Sequence, residues 1–496
     1  MEDSGAVRLS PFLFVASSLI CLFAFPAAGA DLVLEECRIS AGPGYPGIKA
    51  RCGVLQRHED PSDESTPMLD LSVAIVPALS LEPEPDPFVP IAGGPGQSTI
   101  EFYSLLSHAF EKIRRTHDIV LLDQRGTGTS AKMECDLGDE LVEGQLTTEE
   151  TIELTKDCLA ALPHDPRFFT TSVAVQDLEA LRIALSYPQF NLYGASYGTR
   201  VAQHFARQYP GSTRSIILDG VVPPQLALGA SIAIEAQTAL DNIFDRCAES
   251  PACNERFPQI AEEFAALEQS LIDESITVEL PHPLSGVSET IDFGDAELAA
   301  AIRLMSYSPR TVALMPLLIH EAANGNFEPV VAQFLMVMDR MSDSLAIGMH
   351  NAVVCTEDTP FYDGEIFDRD ALESSYIGPM QLEALEAICS VWPAGVLDPE
   401  FKTALATDIP VLLLSGGADP VTPPQFGDLA AVDLGNAAHI TGRHQGHGQA
   451  ATGCMPEVMD RFVETTSVAD EDLDPDDCLL RRFAMPFFLN FSGPSP

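Results

Sequence analysis

Basic side chains are scarce in this sequence. Among its 496 residues, 27 are Lys or Arg and 73 are Asp or Glu, which gives a formal net charge of −46. Such a charge repels nucleic-acid backbones and anionic membrane surfaces, so we expect neither as a partner. The hydrophobic share of 46% is that of a globular protein, so the chain is able to bury a sizeable core.

Long apolar runs are scarce as well. After residue 30, no segment is long and apolar enough for a membrane span of about 20 residues. The N-terminal stretch "SPFLFVASSLICLFAFPAAGA" is apolar and ends with the small residues Ala28, Gly29 and Ala30, an order typical of a signal-peptidase site. We therefore predict a signal peptide over residues 1–30 and a mature protein that is exported, periplasmic or extracellular, with no membrane partner.

Metal-binding patterns are missing. None of the 11 cysteines forms a C-x-x-C pair and the histidines do not cluster with them, so we expect no metal and no cofactor. Loss of Cys21 with the signal peptide leaves an even number of cysteines, which indicates disulfide bonds in an exported protein. Pairing between neighbours closes the shortest loops and predicts these bonds: Cys37–Cys52, Cys135–Cys158, Cys247–Cys253, Cys355–Cys389 and Cys454–Cys478.

Short apolar strands alternate with helices over much of the chain. The segments "DLSVAIVPAL", "PFVPIAGGPG", "HDIVLLDQRG", "FNLYG" and "SIILDG" predict strands, and Thr147 with Glu150 begins a helix through a capping box. Helical stretches dominate residues 224–402, after which "IPVLLLSGG" and "NAAHITG" resume the strands. We predict an α/β-hydrolase fold with a mostly parallel sheet, whose core is residues 31–223 and 403–496, and an inserted, mainly helical cap over residues 224–402.

One serine lies between two glycines in "NLYGASYGTR", where a predicted strand meets a predicted helix. Glycine is costly in such a place, so a pair at this spacing indicates a backbone turn too tight for a Cβ atom. The pattern G-x-S-x-G in this context is typical of the nucleophile elbow of α/β-hydrolases. We therefore predict that Ser196 is a catalytic nucleophile.

Two later residues are candidates for activating this serine. A serine hydroxyl needs a neighbouring base, and that base needs a third group that fixes its tautomer. Asp419 follows the Leu-rich strand, and His447 lies between two glycines after the next strand, so the chain order is Ser, acid, His as in α/β-hydrolases. Asp219, at the end of another strand, remains an alternative acid, and His444 an alternative base.

An oxyanion that forms during acyl transfer needs backbone donors. The N–H after the nucleophile, that of Tyr197, is the first candidate, and Gly94 in "IAGGPGQS" is the second. The same glycine-rich loop lacks the lysine of a P-loop, which argues against a phosphate site.

Several segments in this order resemble a known family: "AGGPGQS", "LLDQRGTGTS", "TTSVAVQDLEALRIAL", "NLYGASYGTR", "LDGVVPP", "CTEDTPF", "SGGADPVTPP" and "GHG". They resemble the exported tripeptidyl aminopeptidase and prolyl aminopeptidase family of α/β-hydrolases over nearly the whole mature chain. The resemblance implies removal of residues or short peptides from a free N-terminus through an acyl-enzyme, with Ser196 as nucleophile, Asp419 as acid and His447 as base. Ala92 departs from the prolyl enzymes, which have histidine there, and the cysteine-bridged, exported pattern favours the tripeptidyl branch.

An aminopeptidase must also bind the ammonium group of its peptide substrate. "VVCTEDTPF" offers Glu357 and Asp358, and we predict that one of them is this ligand, with a solvated acidic loop as the alternative. A carboxylic-ester hydrolase with the same triad remains an alternative function, as does a catalytically silent binding protein of the same fold.

The cysteine pattern yields a testable prediction. The mature protein has no free thiol, because every remaining cysteine has a partner nearby in the chain. Peptide mapping of the unreduced protein is expected to recover the local pairs named above. A long-range link, such as one between Cys52 and Cys454, would contradict this pairing.

Overall fold

The computed structural model describes residues 1, 32–42, 44–135, 146–229, 231–364, 368–473 and 485–494. The predicted signal peptide therefore lies outside the described residues apart from Met1, and so does Cys478 with its predicted bond to Cys454. Disulfide bonds join the other predicted partners: Cys37–Cys52, Cys135–Cys158, Cys247–Cys253 and Cys355–Cys389.

The described chain contains thirteen strands, nine of which form a central sheet. The strands are β1 Glu35–Ile39, β2 Ile48–His58, β3 Met68–Val76, β4 Phe88–Ile91, β5 Ile119–Leu122, β6 Phe190–Ala195, β7 Thr213–Asp219, β8 Ile276–Pro281, β9 Ser288–Phe293, β10 Val411–Gly416, β11 Ala437–Gly442, β12 Phe488–Asn490 and β13 Gly493–Pro494. The spatial order in the central sheet is β1-β2-β3-β5-β4-β6-β7-β10-β11. From β5 to β11 the neighbours run parallel, whereas β1, β2, β3 and β5 pair antiparallel. The mostly parallel sheet that the sequence predicts is thus confirmed, with an additional antiparallel hairpin at its edge.

Helices cover both faces of this sheet, and further helices lie in the segment between β7 and β10. They are α1 Thr99–Leu106, α2 Thr148–Ala161, α3 Thr171–Leu185, α4 Tyr197–Gln208, α5 Ile232–Glu249, α6 Pro251–Arg256, α7 Ile260–Asp273, α8 Asp295–Met305, α9 Pro309–Val312, α10 Met315–Ala323, α11 Glu328–Ser344, α12 Ile347–Glu357, α13 Arg369–Glu373, α14 Met380–Val391, α15 Pro424–Ala431, α16 Met455–Thr465 and α17 Asp470–Leu473. Helix α2 begins with the predicted capping box of Thr147 and Glu150. Within the described ranges, no helix combines the length and the apolar character that a membrane span requires.

Alternating side chains of the strands divide the core between the two faces, as the pleat of a strand requires. In β10, Leu413 packs in a cluster with α3 and α4, whereas Leu412 and Leu414 pack in a cluster with α1 and α16. Because β10 is buried on both sides, its apolar run is continuous rather than alternating.

The segment between β7 and β10 forms a helical region with an apolar core of its own. Helices α5 to α14 lie in it, and side chains from Ala227 to Leu382, together with Phe487, make up that core. The strands β8 and β9 form a separate hairpin in this region, which the sequence did not predict. The boundaries of the cap, residues 224–402, stay a prediction.

Arg125, just after β5, ties three parts of the described chain together. Its buried guanidinium donates to both carboxylate oxygens of Asp177 in α3, over 2.7 and 2.9 Å. It also donates to the carbonyl oxygens of Glu59 and Phe168, over 2.7 and 3.0 Å. Asp177 also accepts from Arg57 Nε over 3.0 Å. Removal of Arg125 therefore leaves the buried carboxylate with one weaker charged contact in place of its two-point contact.

We expect Arg125→Met to lower the free energy of unfolding by about 3 kcal/mol, the lower end for a broken buried pair, because the buried Asp177 carboxylate keeps its contact with Arg57. Urea unfolding followed by circular dichroism measures this loss. Arg167→Met is the matched control: Arg167 pairs with Asp165 at the surface, and an exposed pair contributes less than about 1 kcal/mol. Equal losses in the two variants would contradict the role given to Arg125.

Candidate active site

Ser196 occupies the turn between β6 and α4 in a backbone conformation that residues other than glycine rarely adopt. Its φ is +53° and its ψ is −123°. A positive φ is unfavourable for a residue with a Cβ atom, so the surroundings must hold it in place. The Ser196 N–H donates to the carbonyl of Asp219 over 2.9 Å, and the Ser196 carbonyl accepts from the N–H of Thr199 over 2.8 Å.

The two glycines that flank this turn are required by close backbone contacts. A Cβ atom on Gly194 would lie 2.3 Å from the carbonyl oxygen of Gly198. A Cβ atom on Gly198 would lie 2.4 Å from the carbonyl oxygen of Ile91, at the end of β4. Both distances are shorter than a van der Waals contact between carbon and oxygen allows. The spacing of the two glycines therefore reflects a tight strand-turn-helix junction.

Asp419 and His447 form a hydrogen-bonded pair at the ends of β10 and β11. His447 Nδ1 lies 2.8 Å from Asp419 Oδ2, and the Asp419 carboxylate is buried. That carboxylate also accepts from the backbone N–H groups of Val421 and Thr422, each over 2.9 Å, and from the Thr422 hydroxyl over 2.8 Å. Asp419 is therefore fixed as an acceptor that orients the imidazole ring.

Asp219 and His444, the alternative acid and base, do not make the contacts that a catalytic acid and base would need. Asp219 accepts from the Tyr193 hydroxyl over 2.8 Å and from the backbone N–H groups of Gln449 and Ala450. It thereby anchors the chain just after His447, without a hydrogen bond to that ring. His444 does not line the cavity that contains Ser196.

Ser196 and His447 line the same cavity, which has a volume of about 480 Å³. Their side chains do not hydrogen-bond to each other in this structure, and catalytic contacts of this kind often tighten when substrate binds. The sheet side of the cavity also contains Gly94 and Thr422. The helical region contributes more of the lining residues, and these include both apolar and polar side chains: Ile232, Arg303, Leu304, Tyr307, His350, Val354, Gln381 and Leu385.

The glycine loop after β4 packs directly against the serine turn. A Cβ atom on Gly93 would lie 3.0 Å from the Cβ atom of Ser196, and Gly94 has a φ of +105° and lines the cavity. Tyr197 is the first residue of α4, so its backbone N–H has no acceptor within the helix. The two predicted oxyanion donors therefore belong to segments that adjoin Ser196.

Charge around His447 favours its protonated form more than burial disfavours it. Burial alone would lower the pKa of His447, but the charge of Asp419 and its hydrogen bond, with a further contribution from Asp219, raise that pKa above its ordinary value. A base with a raised pKa is a stronger proton acceptor, and it is neutral only above that pKa.

The predicted ammonium ligands, Glu357 and Asp358, do not line the cavity. Both side chains are fully buried. Asp358 pairs with Arg200 over 2.9 Å and with Lys402 over 3.3 Å, and Glu357 accepts from the Thr171 N–H over 2.7 Å. Burial raises the pKa of Glu357 to about 7. These carboxylates serve as internal anchors of α12, so neither the predicted ammonium contact nor the alternative of a solvated loop fits their position.

Two residues that lie next to the triad were not among those predicted from the sequence. The Thr422 hydroxyl contacts Asp419 and lies 3.1 Å from His447 Nδ1. Tyr307, just after α8, accepts the His447 backbone N–H at its carbonyl over 2.9 Å and lies edge-on to the imidazole, with the ring centres 5.2 Å apart. The Pro-rich turn after Asp419 was a signal for Thr422, whereas nothing in the sequence around Tyr307 indicates its contact.

Within the described ranges, no group of three or more His, Cys, Asp or Glu side chains is arranged to hold a metal ion.

Two family models match separate parts of the chain. The model described as "alpha/beta hydrolase fold" matches residues 86–272, which include Ser196 and both predicted oxyanion donors. The model described as "TAP-like protein" matches residues 374–475, which include Asp419 and His447.

Several curated proteins are similar to the chain at modest identity. Serine protease Hip1 of Mycobacterium tuberculosis is 26% identical over 387 residues, which is 69% of this chain and 71% of that protein. Tripeptidyl aminopeptidase of Streptomyces coelicolor is 23% identical over 419 residues, 77% of this chain and 74% of that protein. Proline iminopeptidase of Xylella fastidiosa is 29% identical over 144 residues, 28% of this chain and 33% of that protein.

The charge around His447 yields a prediction for the pH dependence of hydrolysis. Activity rises with pH through the raised pKa of His447, because the neutral ring is the proton acceptor. Asp419→Asn is expected to move this acid limb to lower pH and to reduce turnover by roughly 10⁴.

A pH profile of kcat/KM measures both effects. Asp428→Asn is the control, since Asp428 bonds a different histidine, His439, and is exposed. An unchanged acid limb in Asp419→Asn would contradict the pairing.

Proposed function

This chain belongs to the α/β-hydrolases, in the family of the tripeptidyl and prolyl aminopeptidases, and on that premise we propose that it is an exported serine aminopeptidase. It releases N-terminal residues or short peptides through an acyl-enzyme on Ser196. The observation that carries the proposal is the arrangement of Ser196 and His447 at one cavity, with Asp419 bonded to the far side of the imidazole. The tripeptidyl and prolyl relatives support the choice of substrate class.

In the first half of the reaction, His447 Nε2 accepts the proton of Ser196 Oγ as that oxygen attacks the peptide carbonyl carbon. Asp419 holds the ring through Nδ1 and stabilises the imidazolium. The carbonyl oxygen gains negative charge, and the N–H groups of Gly94 and Tyr197 bind it. When the C–N bond breaks, His447 gives its proton to the leaving amine, and an ester of Ser196 remains.

In the second half, water replaces the leaving amine. His447 removes a proton from this water, and the resulting oxygen attacks the ester carbon. The ester C–O bond then breaks, and Ser196 Oγ takes the proton back from His447. The released fragment is the N-terminal piece of the substrate, with a new carboxylate.

The helical region has the role of a cap in this proposal. It supplies the cavity wall opposite the serine, with contributions from Ile232 in α5, Leu304 in α8 and Leu385 in α14. A wall of this kind restricts entry to chain ends and limits bulk solvent in the cavity. We place its boundaries at residues 224 and 402.

A carboxylic-ester hydrolase is the second candidate function. The specific observation in its favour is that Glu357 and Asp358, the predicted ammonium ligands, lie in the interior and not at the cavity. An ester substrate needs the triad and the oxyanion donors but no ligand for an ammonium group.

Blocking the substrate N-terminus separates the two functions. For an aminopeptidase, acetylation removes a charge-assisted contact of about 1.5–3 kcal/mol, so kcat/KM falls by at least about tenfold. Mass spectrometry of products from matched free and acetylated peptides measures the ratio. Equal cleavage of both would contradict the aminopeptidase and favour the ester hydrolase.

Ser196→Ala is expected to abolish hydrolysis of peptides and esters alike, with a loss of roughly 10⁴-fold or more, because the triad acts as a unit. The fold should persist, since one hydroxyl at a cavity wall is lost. Ser270→Ala, in α7, is the matched control and should retain full activity. If Ser196→Ala kept a tenth of the activity toward its best substrate, Ser196 would not be the nucleophile.

A further inference from the structure

The cavity that Ser196 lines contains a positively charged side chain, that of Arg303. Among the described residues that line it, Arg303 is the one with a permanent positive charge, and no carboxylate lines it. The whole chain has a net charge of −46, so acidic partners for a guanidinium are abundant elsewhere. Arg303 lies in α8, within the helical region that faces the serine.

Polar atoms around Arg303 are buried without a hydrogen-bond partner among the described residues. They are Arg303 Nε and Gln381 Oε1, and both residues line the cavity. A buried donor or acceptor without a partner is costly, and natural proteins retain few of them.

No ion pair between Arg303 and a carboxylate occurs among the residues that the structure describes. The Arg303 side chain bonds the Tyr307 side chain, which is neutral, because burial raises the pKa of that phenol further. A guanidinium has five N–H donors in a planar fork that matches a carboxylate in two parallel hydrogen bonds. In a cavity with apolar walls, such a bond is stronger than it is in water.

We propose that Arg303 forms a subsite for a substrate carboxylate in the part of the cavity wall that the helical region contributes. The substrates that the enzyme prefers then carry an acidic group, either an Asp or Glu side chain in the released fragment or the C-terminal carboxylate of a short peptide. This inference rests on the proposed peptidase function and narrows its substrate class.

The test compares substrates that differ by one charge. Tripeptidyl p-nitroanilides carry Glu or its isostere Gln at each of the three positions in turn, which tests the side-chain source. Short peptides with a free or amidated C-terminus test the other source. A p-nitrophenyl ester of glutaric acid and the matching ester of its monoamide test the subsite without any peptide bond.

Wild-type enzyme is expected to favour the acidic member of at least one pair by about tenfold or more in kcat/KM, the size of a charge-assisted contact. Arg303→Met removes that preference, and Arg303→Lys, which keeps the charge without the fork, restores part of it. Arg310→Met is the matched control, because Arg310 is exposed and close in sequence but does not line the cavity. It should leave the preference unchanged.

The results that would overturn the subsite differ from those that would overturn the peptidase function. Equal rates for acidic and neutral members of every pair in wild-type enzyme would overturn the carboxylate subsite while the peptidase function stood, and this comparison does not depend on whether a variant folds. If no peptide is cleaved but the glutarate ester is preferred in an Arg303-dependent way, the peptidase function falls and the subsite stands. A preference for acidic substrates that Arg303→Met retains in a folded form would also overturn the assignment.

Discussion

The backbone turn at Ser196 is the constraint on which the site depends. A residue with a Cβ atom is held there at a φ of +53°, and Gly194 and Gly198 allow the strand, the turn and the helix to meet at distances that no side chain would permit. Parallel strands then bring their carboxyl ends to one edge, so the loops after β4, β10 and β11 converge on the serine. The positions of Gly94, Asp419 and His447 near the serine follow from this arrangement of loops.

A second, buried set of charges holds the helical region against this turn. Arg200 lies in α4, one helical turn after the serine, and it pairs with Asp358 at the end of α12. Burial alone would raise the pKa of Asp358, but Arg200 and Lys402 hold it below its ordinary value. This contact ties the end of α12 to α4, the helix that begins at the serine turn.

The sequence predicted what is local or follows from chain order. The glycine spacing around Ser196, and the acid and histidine after successive strands, are patterns that strand-loop geometry converts directly into positions. Glu357 and Asp358 were assigned wrongly, because a sequence gives the charge of a side chain and not the direction in which its helix faces. Arg303 was missed for the same reason: α8 has an ordinary amphipathic pattern, and its contact with the cavity depends on tertiary packing.

The central claim is that His447 and Asp419 activate Ser196 as the nucleophile. Labelling with a fluorophosphonate, which reacts with activated serines, tests it most directly when the adduct is located by peptide mapping. The account predicts one adduct, on Ser196, and labelling that is slower by orders of magnitude in His447→Ala. An adduct on another serine, or labelling at an equal rate in His447→Ala, would contradict it.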